Sequence, residues 1–165
     1  MIHIMSDETQ STLTEVQPGD VQPNAVDLRV DKVYEINNVG FVLNEEKKVH
    51  RGSVELFPDA DGYWTLKPGA YEILMKNIVH MGNDEAGFVI TRSTLNRNGV
   101  YITSGLYDSG YHGVMAGALH VTCGDFILQR NTRVGQFLLY KSESLAQYDG
   151  DYGINKQHDT KYRSE

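Results

Sequence analysis

The stretch Pro58-Asp59-Ala60-Asp61-Gly62-Tyr63-Trp64-Thr65-Leu66-Lys67-Pro68-Gly69-Ala70-Tyr71-Glu72-Ile73-Leu74 carries the fold in miniature. Two β-rich runs, Trp64 to Leu66 and Ala70 to Leu74, are set off by a Pro-Asp-Ala-Asp-Gly cluster and a Lys-Pro-Gly cluster. Proline presets the φ of a turn and glycine accepts left-handed φ, so each cluster ends one strand and starts the next. The texture continues in both directions. Upstream lies Gly40-Phe41-Val42-Leu43. Downstream lie Phe88-Val89-Ile90, Val100-Tyr101-Ile102-Thr103 and Gln136-Phe137-Leu138-Leu139-Tyr140, with Gly82-Asn83-Asp84 and Asp108-Ser109-Gly110 between them. Many short runs between such turns predict an all-β sandwich, jelly roll or barrel. The absence of a sustained 3.6-residue apolar pattern agrees.

One segment departs from this texture. In Arg92-Ser93-Thr94-Leu95-Asn96-Arg97-Asn98-Gly99, Ser93 reads as an N-cap and Gly99 as the residue after the last turn. A single short helix is expected there, its first N–H groups suited to an anion. Residues 1–20 are polar and irregular and read as a flexible arm. Residues 21–143 form the β domain. The polar tail over 144–165 reads as a frayed end or as a lid that orders on a ligand.

Composition narrows the function classes. With 165 residues, 40% of them hydrophobic, the chain supports one globular domain. A net charge of −7 argues against a broad basic face for nucleic acid. No apolar run reaches the ~18 residues that a membrane span needs, and Met1 to Gln10 lacks the basic and apolar parts of a secretory signal. The single Cys123 leaves no internal disulfide or multi-cysteine zinc site. A soluble protein of the cytoplasm is the expectation. His3, His50, His80, His112, His120 and His158 show no ligand spacing. A Gly-x-Ser-x-Gly elbow, a P-loop and a dinucleotide fingerprint are all missing.

The order of the remaining segments is more informative than any one of them. Gln22-Pro23-Asn24-Ala25-Val26-Asp27-Leu28-Arg29 comes first, then Arg92-Ser93-Thr94-Leu95-Asn96-Arg97. Thr103-Ser104-Gly105-Leu106-Tyr107-Asp108-Ser109-Gly110-Tyr111-His112-Gly113 follows, then Arg133-Val134-Gly135-Gln136, Tyr152-Gly153 and Lys161-Tyr162-Arg163. This series resembles the dUTPase and dCTP deaminase superfamily over about residues 20–163. The opening segment and Arg97 are closest to the deaminase branch.

The resemblance implies a distorted β-barrel or jelly roll with one short helix, assembled as a homotrimer with sites at subunit interfaces. It implies a pyrimidine deoxynucleoside triphosphate carried with Mg²⁺, whose ligands are mostly substrate phosphates. Roles follow position by position. Arg92, Ser93 and Thr94 match the phosphate motif, and Gln136 matches the glutamine that meets a phosphate oxygen. Asp108 matches the aspartate that orients the deoxyribose and activates water. Tyr111 matches the aromatic residue that packs on the sugar. Thr103 and Gly105 belong to the stretch that presents backbone to the base. Asp27 supports the metal–phosphate end without binding the metal directly. Tyr152 is expected on the base, and Lys161 and Arg163 over the γ-phosphate.

The branches differ in one proton carrier. A cytosine-attacking relative keeps a glutamate ten residues after the motif aspartate, and here that residue is Ala118. No carboxylate occurs between Asp108 and Asp125. Losing a positioned general base costs about 10²–10⁴-fold in rate. Hydrolysis of dUTP to dUMP and pyrophosphate is therefore the expected reaction. Two other readings stand beside it: an enzyme acting on dCTP as deaminase or pyrophosphatase (or on a modified pyrimidine nucleotide), and a catalytically weak nucleotide-binding regulator. The usual fifth motif of dUTPases, rich in glycine with an arginine and a phenylalanine, is absent.

Overall fold

The computed structural model describes residues 1–156. Its strands, in chain order, are β1 (Thr12–Leu13), β2 (Val26–Ile36), β3 (Val42–Leu43), β4 (Lys48–Val49), β5 (Ser53–Leu56), β6 (Tyr63–Leu66), β7 (Gly69–His80) and β8 (Glu85–Thr91). Among the described residues the one helix, α1 (Ser93–Asn96), precedes β9 (Val100–Thr103), β10 (His112–Val121), β11 (Phe126–Gln129) and β12 (Arg133–Lys141). The main sheet has the order β8-β12-β2-β7-β10-β9, with β1 added on β7 and β5 on β2. β6 and β11 form a separate pair, as do β3 and β4.

The sheet curls until its ends meet. Gly87 of β8 and Tyr107 exchange both backbone hydrogen bonds, at 3.0 and 2.7 Å. Side-chain hydroxyls extend this seam. The Ile102 N–H donates to Thr91 Oγ1 at 2.8 Å, that hydroxyl donates back to the Ile102 carbonyl at 3.0 Å, and the Val89 N–H donates to Ser104 Oγ at 2.9 Å. The result is a nearly closed, distorted β-barrel, as the turn-punctuated sequence predicts. Closure removes the unpaired edges that an open sheet would present to other chains.

Period-2 alternation fills the interior. β9 alternates buried and exposed along its length, and β6 does so in the opposite phase. Leu28, Val30, Val33, Ile73, Met75, Val79, Met115, Leu119, Phe137 and Leu139 are buried at the centre. A register shift between Val114 and Ala116 interrupts β10 against β7, and one between Arg133 and Gly135 interrupts β12 against β2. Such bulges re-aim the side chains that follow them.

Three local expectations meet a different arrangement. Residues 1–20 lie against the barrel: Ile2 bridges Leu139, Ile4 is buried, and β1 pairs with the far end of β7. The anchor is Glu85, fully buried, which accepts hydrogen bonds from Thr9 Oγ1, the Gln10 and Ser11 N–H groups, Ser11 Oγ and Lys141 Nζ. The helix is a single turn in which Arg92 (φ −64°, ψ 141°) takes the N-cap position and Ser93 is already helical. Gly99, at φ +68°, does supply the left-handed residue after it. Over 144–156 the tail folds back, with the Tyr148 N–H bonded to the Ser109 carbonyl and the Ile154 N–H to that of His112.

Candidate active site

The sequence places Asp27 near the start of β2, where Val26 and Leu28 point into the core. Asp27 projects to the other side of the strand, yet its side chain is only 1% exposed. Directly opposite it in the ladder stands Gln136 of β12, whose Nε2 donates to Oδ1 at 3.0 Å. Arg133 Nη1 and Gln22 Nε2 reach Oδ2 at 3.3 Å each. The Arg92 guanidinium lies 3.3 Å from the same oxygen through Nε and donates to the Arg133 carbonyl through Nη1. One buried carboxylate thus holds two expected phosphate binders, Arg92 and Gln136, beside Arg133.

A second buried carboxylate braces the first group. Asp20 accepts from Arg29 Nε and Nη2, the latter at 2.6 Å, and the Asp27 N–H donates to the Asp20 carbonyl. Burial raises the Asp20 carboxyl, but the Arg29 and Gln17 hydrogen bonds outweigh it and hold the group below its ordinary range. Arg29 lies opposite Arg133 across β2 and β12, and Asp20 interacts with both cations. The guanidiniums of Arg92 and Arg133 remain 27% and 35% exposed, so each keeps a face for an anion. Asp20 and the bracing role of Arg29 are not signalled by any sequence motif.

Ser93, Thr94 and Arg97 are exposed on α1 and its C-terminal residue, immediately after Arg92. The hydroxyls of Ser93 and Thr94 cap nothing.

A cleft of about 870 Å³ opens elsewhere on the barrel. Thr103, Ser104 and Gly105 form one side of it and Ala116, Gly117 and Ala118 another. Tyr152, expected on the base, lies at its wall together with Phe41 and His50, whose rings are 6.1 Å apart. The sequence motifs gave no sign of Phe41 and His50, because the β3–β4 hairpin between them carries no recognisable chemistry.

Asp108 is exposed and borders a smaller cleft of about 440 Å³ with Leu106 and Ser142 to Asp149. Its backbone is firmly set. The Tyr111 N–H donates to the Asp108 carbonyl, and Gly110, at φ +79°, takes the left-handed third position that a type II turn requires. Ser109 is buried beneath it, accepting from the Asp84 N–H and donating to the Gly82 carbonyl. Tyr111, expected against the sugar, is 8% exposed and packs edge-on to Tyr148, with its hydroxyl donating to the Val114 carbonyl. Its ring also packs against Tyr107, and burial pushes its phenol well up. Lys161 and Arg163 lie outside the described residues.

The expected site residues therefore fall into three groups within one chain: the Asp27-centred cations, the 870 Å³ cleft and the Asp108 turn. Neither cleft is lined by Arg92, Ser93 or Gln136.

The family model described as dCTP deaminase-like matches residues 2–142, and the chain belongs to that family. A probable deoxyuridine 5'-triphosphate nucleotidohydrolase of Halobacterium salinarum is 32% identical over 141 residues, covering 83% of this chain and 85% of the relative. One of Aeropyrum pernix with the same description is 30% identical, covering 81% of this chain and 85% of the relative. Among solved structures, the 2'-deoxycytidine 5'-triphosphate deaminase of Agrobacterium tumefaciens superposes with TM-score 0.62 at 15% identity. The likeness covers 82% of this chain and 45% of the deaminase chain. The dUTPase of Staphylococcus aureus phage phi11 gives TM-score 0.53 at 10% identity, covering 88% and 98%. These two likenesses concern the fold.

Proposed function

We propose that this protein is a dUTP diphosphatase that hydrolyses dUTP to dUMP and pyrophosphate. The observation that carries the reading is Ala118, which stands in the wall of the 870 Å³ cleft ten residues after Asp108, where the resemblance implies a glutamate in the deaminase branch. The descriptions of the relatives at about 30% identity agree. In this reading the pyrimidine enters the 870 Å³ cleft against Thr103 to Gly105 and Ala116 to Ala118. Arg92, Arg133 and Gln136 hold phosphate oxygens, and Asp27 keeps them aimed. Asp108 orients the sugar and takes a proton from the water that attacks the α-phosphorus. The leaving group is pyrophosphate.

Metal binding is tested by the donor set. Among the described residues no three His, Cys, Asp or Glu side chains converge as a metal cage. The Asp27 oxygens are occupied by cationic and amide donors. This arrangement fits Mg²⁺ arriving as the chelate of the triphosphate, where it neutralises phosphate charge.

That Arg92, Ser93 and Gln136 line neither cleft supports a site completed by a second and third copy, hence a homotrimer. In that assembly Ser93, Thr94 and Arg97 line the phosphate end, and Tyr152, Lys161 and Arg163 close over the nucleotide. No described helix is long and apolar enough to cross a membrane, and an enzyme of the free nucleotide pool belongs in the cytoplasm.

The test is incubation with Mg²⁺ and either dUTP or dCTP, scoring dUMP, pyrophosphate and ammonia. Pyrophosphate from dUTP is the expected result; no release from dUTP overturns the reading. Sedimentation at three times the chain mass of 18.6 kDa checks the trimer.

A further inference from the structure

A relay of buried hydrogen bonds joins the N-terminal arm to the Asp108 turn. Its two hydroxyls belong to Ser11, 4% exposed, and Ser109, 3% exposed. A hydroxyl has one proton to give and two lone pairs to fill, and when buried it goes unpaired only at a cost. Ser11 Oγ donates to the Glu85 carboxylate, which as an anion only accepts. The Gly82 N–H donates in turn to Ser11 Oγ at 2.8 Å. On the far side of the same residue, the Gly82 carbonyl accepts from Ser109 Oγ at 3.0 Å. That oxygen accepts from the Asp84 N–H, also at 3.0 Å. Every donation therefore points towards Glu85, the arrangement in which successive hydrogen bonds reinforce one another.

Gly82 has no latitude between its two serines. A Cβ there would lie 2.6 Å from Gln10 Cβ and 2.9 Å from the Gln10 carbonyl carbon, so the arm's own backbone presses on it. Its neighbour adds a second tie. The Met81 N–H donates to the Tyr111 carbonyl at 2.8 Å, and the Tyr111 N–H donates to the Asp108 carbonyl at 3.0 Å. Met81 and Gly82 thus grip the turn on both sides of Gly110, while the arm grips Gly82 from behind.

We propose that Ser11 is a positioning residue for the reaction: acting through Gly82 and Ser109, it sets the turn that carries Asp108. This inference rests on Asp108's being the group that takes the proton, as proposed above. Ser11 fixes where that carboxylate stands and itself meets neither nucleotide nor water. The Asp27 carboxylate is served by Gln22, Arg92, Arg133 and Gln136 rather than by this relay, so turnover and substrate affinity respond separately.

The experiment measures kcat and KM for dUTP, with Mg²⁺, in the full chain, in Ser11→Ala, in Ser109→Ala and in the double variant. Each is assayed at a temperature where circular dichroism shows it folded. Ser11→Ala is expected to lower kcat about 10–100-fold, the effect of displacing a catalytic group by up to about 1 Å, with KM unchanged. Ser109→Ala already severs the relay, so adding Ser11→Ala to it is expected to lower kcat no further; independent contributions would multiply. Thr9→Ala removes another donor to Glu85 but leaves Ser11 on Gly82, and is expected to keep the wild-type kcat. Ser11→Cys, close in size with a weaker hydrogen-bonding group, moves kcat the same way by less and serves where Ser11→Ala does not fold.

A wild-type kcat in Ser11→Ala overturns the assignment, as does a loss confined to KM, a multiplied loss in the double variant or an equal loss in Thr9→Ala. Amide exchange gives a readout that needs no turnover. Ser11→Ala is expected to speed exchange at Tyr111 and Tyr148, whose N–H groups bond to the Asp108 and Ser109 carbonyls, and to leave Val89 and Ile102 at the barrel seam unchanged. Unchanged exchange at Tyr111 and Tyr148 overturns the inference even where Ser109→Ala does not fold. A wild-type protein that leaves dUTP intact overturns the diphosphatase reading instead, and exchange then decides whether the arm holds the turn.

Discussion

Gln136 and Asp27 face each other across the β12–β2 ladder, and the glutamine amide donates to the buried carboxylate at 3.0 Å. Because the same carboxylate takes Arg92 and Arg133 at 3.3 Å, the neutral and cationic donors are aimed by one group. Removing the buried carboxylate leaves the amide and cationic donors without their acceptor, although Arg92 and Arg133 stay partly solvated. Asp27→Ala is expected to cost about 1–3 kcal/mol in chemical denaturation. Asp27→Asn, which keeps the shape, is expected to cost less stability but to raise KM for dUTP. An unchanged KM in a folded Asp27→Asn protein would separate this cluster from phosphate binding.

Asp108 sits exposed on a turn whose own bonds are backbone and Ser109 contacts. Asp108→Ala is expected to lower kcat by about 10²–10⁴-fold, while the melting temperature stays close to wild type. Near-normal turnover would remove Asp108 from the chemistry.

Glu85 predicts an acid sensitivity with a defined sign. Burial alone would raise its carboxyl, but hydrogen bonds from Lys141, Ser11, Thr9 and Gln10 prevail and bring it down to about 2 from 4.5. A lowered folded-state value means that the contribution is complete above the unfolded value and is lost as pH falls from about 4.5 towards 2. The loss is about 2–3 kcal/mol. It should appear first as faster amide exchange over Gln10 to Leu13, since these residues are tied to that carboxylate or to β7. Uniform exchange across the barrel as pH drops would count against a local latch.

The barrel seam leaves no room at Gly87. A Cβ there would sit 2.5 Å from Phe137 Cζ and 2.7 Å from the Leu138 carbonyl oxygen. Phe137 is 1% exposed and has nowhere to move. Gly87→Ala is therefore expected to destabilise by about 1–3 kcal/mol, read as a lower melting temperature. A neutral result would mean that the seam opens without cost.

The β class was legible because turn chemistry is local: Pro58 to Gly62 and Lys67 to Gly69 punctuate the chain whatever surrounds them. Arg92 and Gln136 were singled out through motif order, and both contact Asp27 in the fold. What escaped the sequence depends on partners far along the chain. Glu85 binds Ser11 across 74 positions, so residues 1–20 look like a loose arm until the barrel brings the two together. Gly82 meets Ser11 and Ser109 only in the folded chain, across 71 and 27 positions. The capping of α1 misled for a simpler reason. Ser93 has the right chemistry, but β8 ends one residue earlier than a serine cap requires, and Arg92 takes the boundary.

Lys48, on the β3–β4 hairpin, and Asp151, one residue before Tyr152, meet at 3.8 Å with both side chains about half exposed. Pairs of this kind contribute about 0.2–1 kcal/mol and weaken with salt. Two rims joined so lightly can part and rejoin while every barrel ladder stays intact, so a nucleotide held in the cleft, as proposed, would leave on the timescale of a loop rather than of unfolding. Raised ionic strength would then loosen the mouth of the cleft.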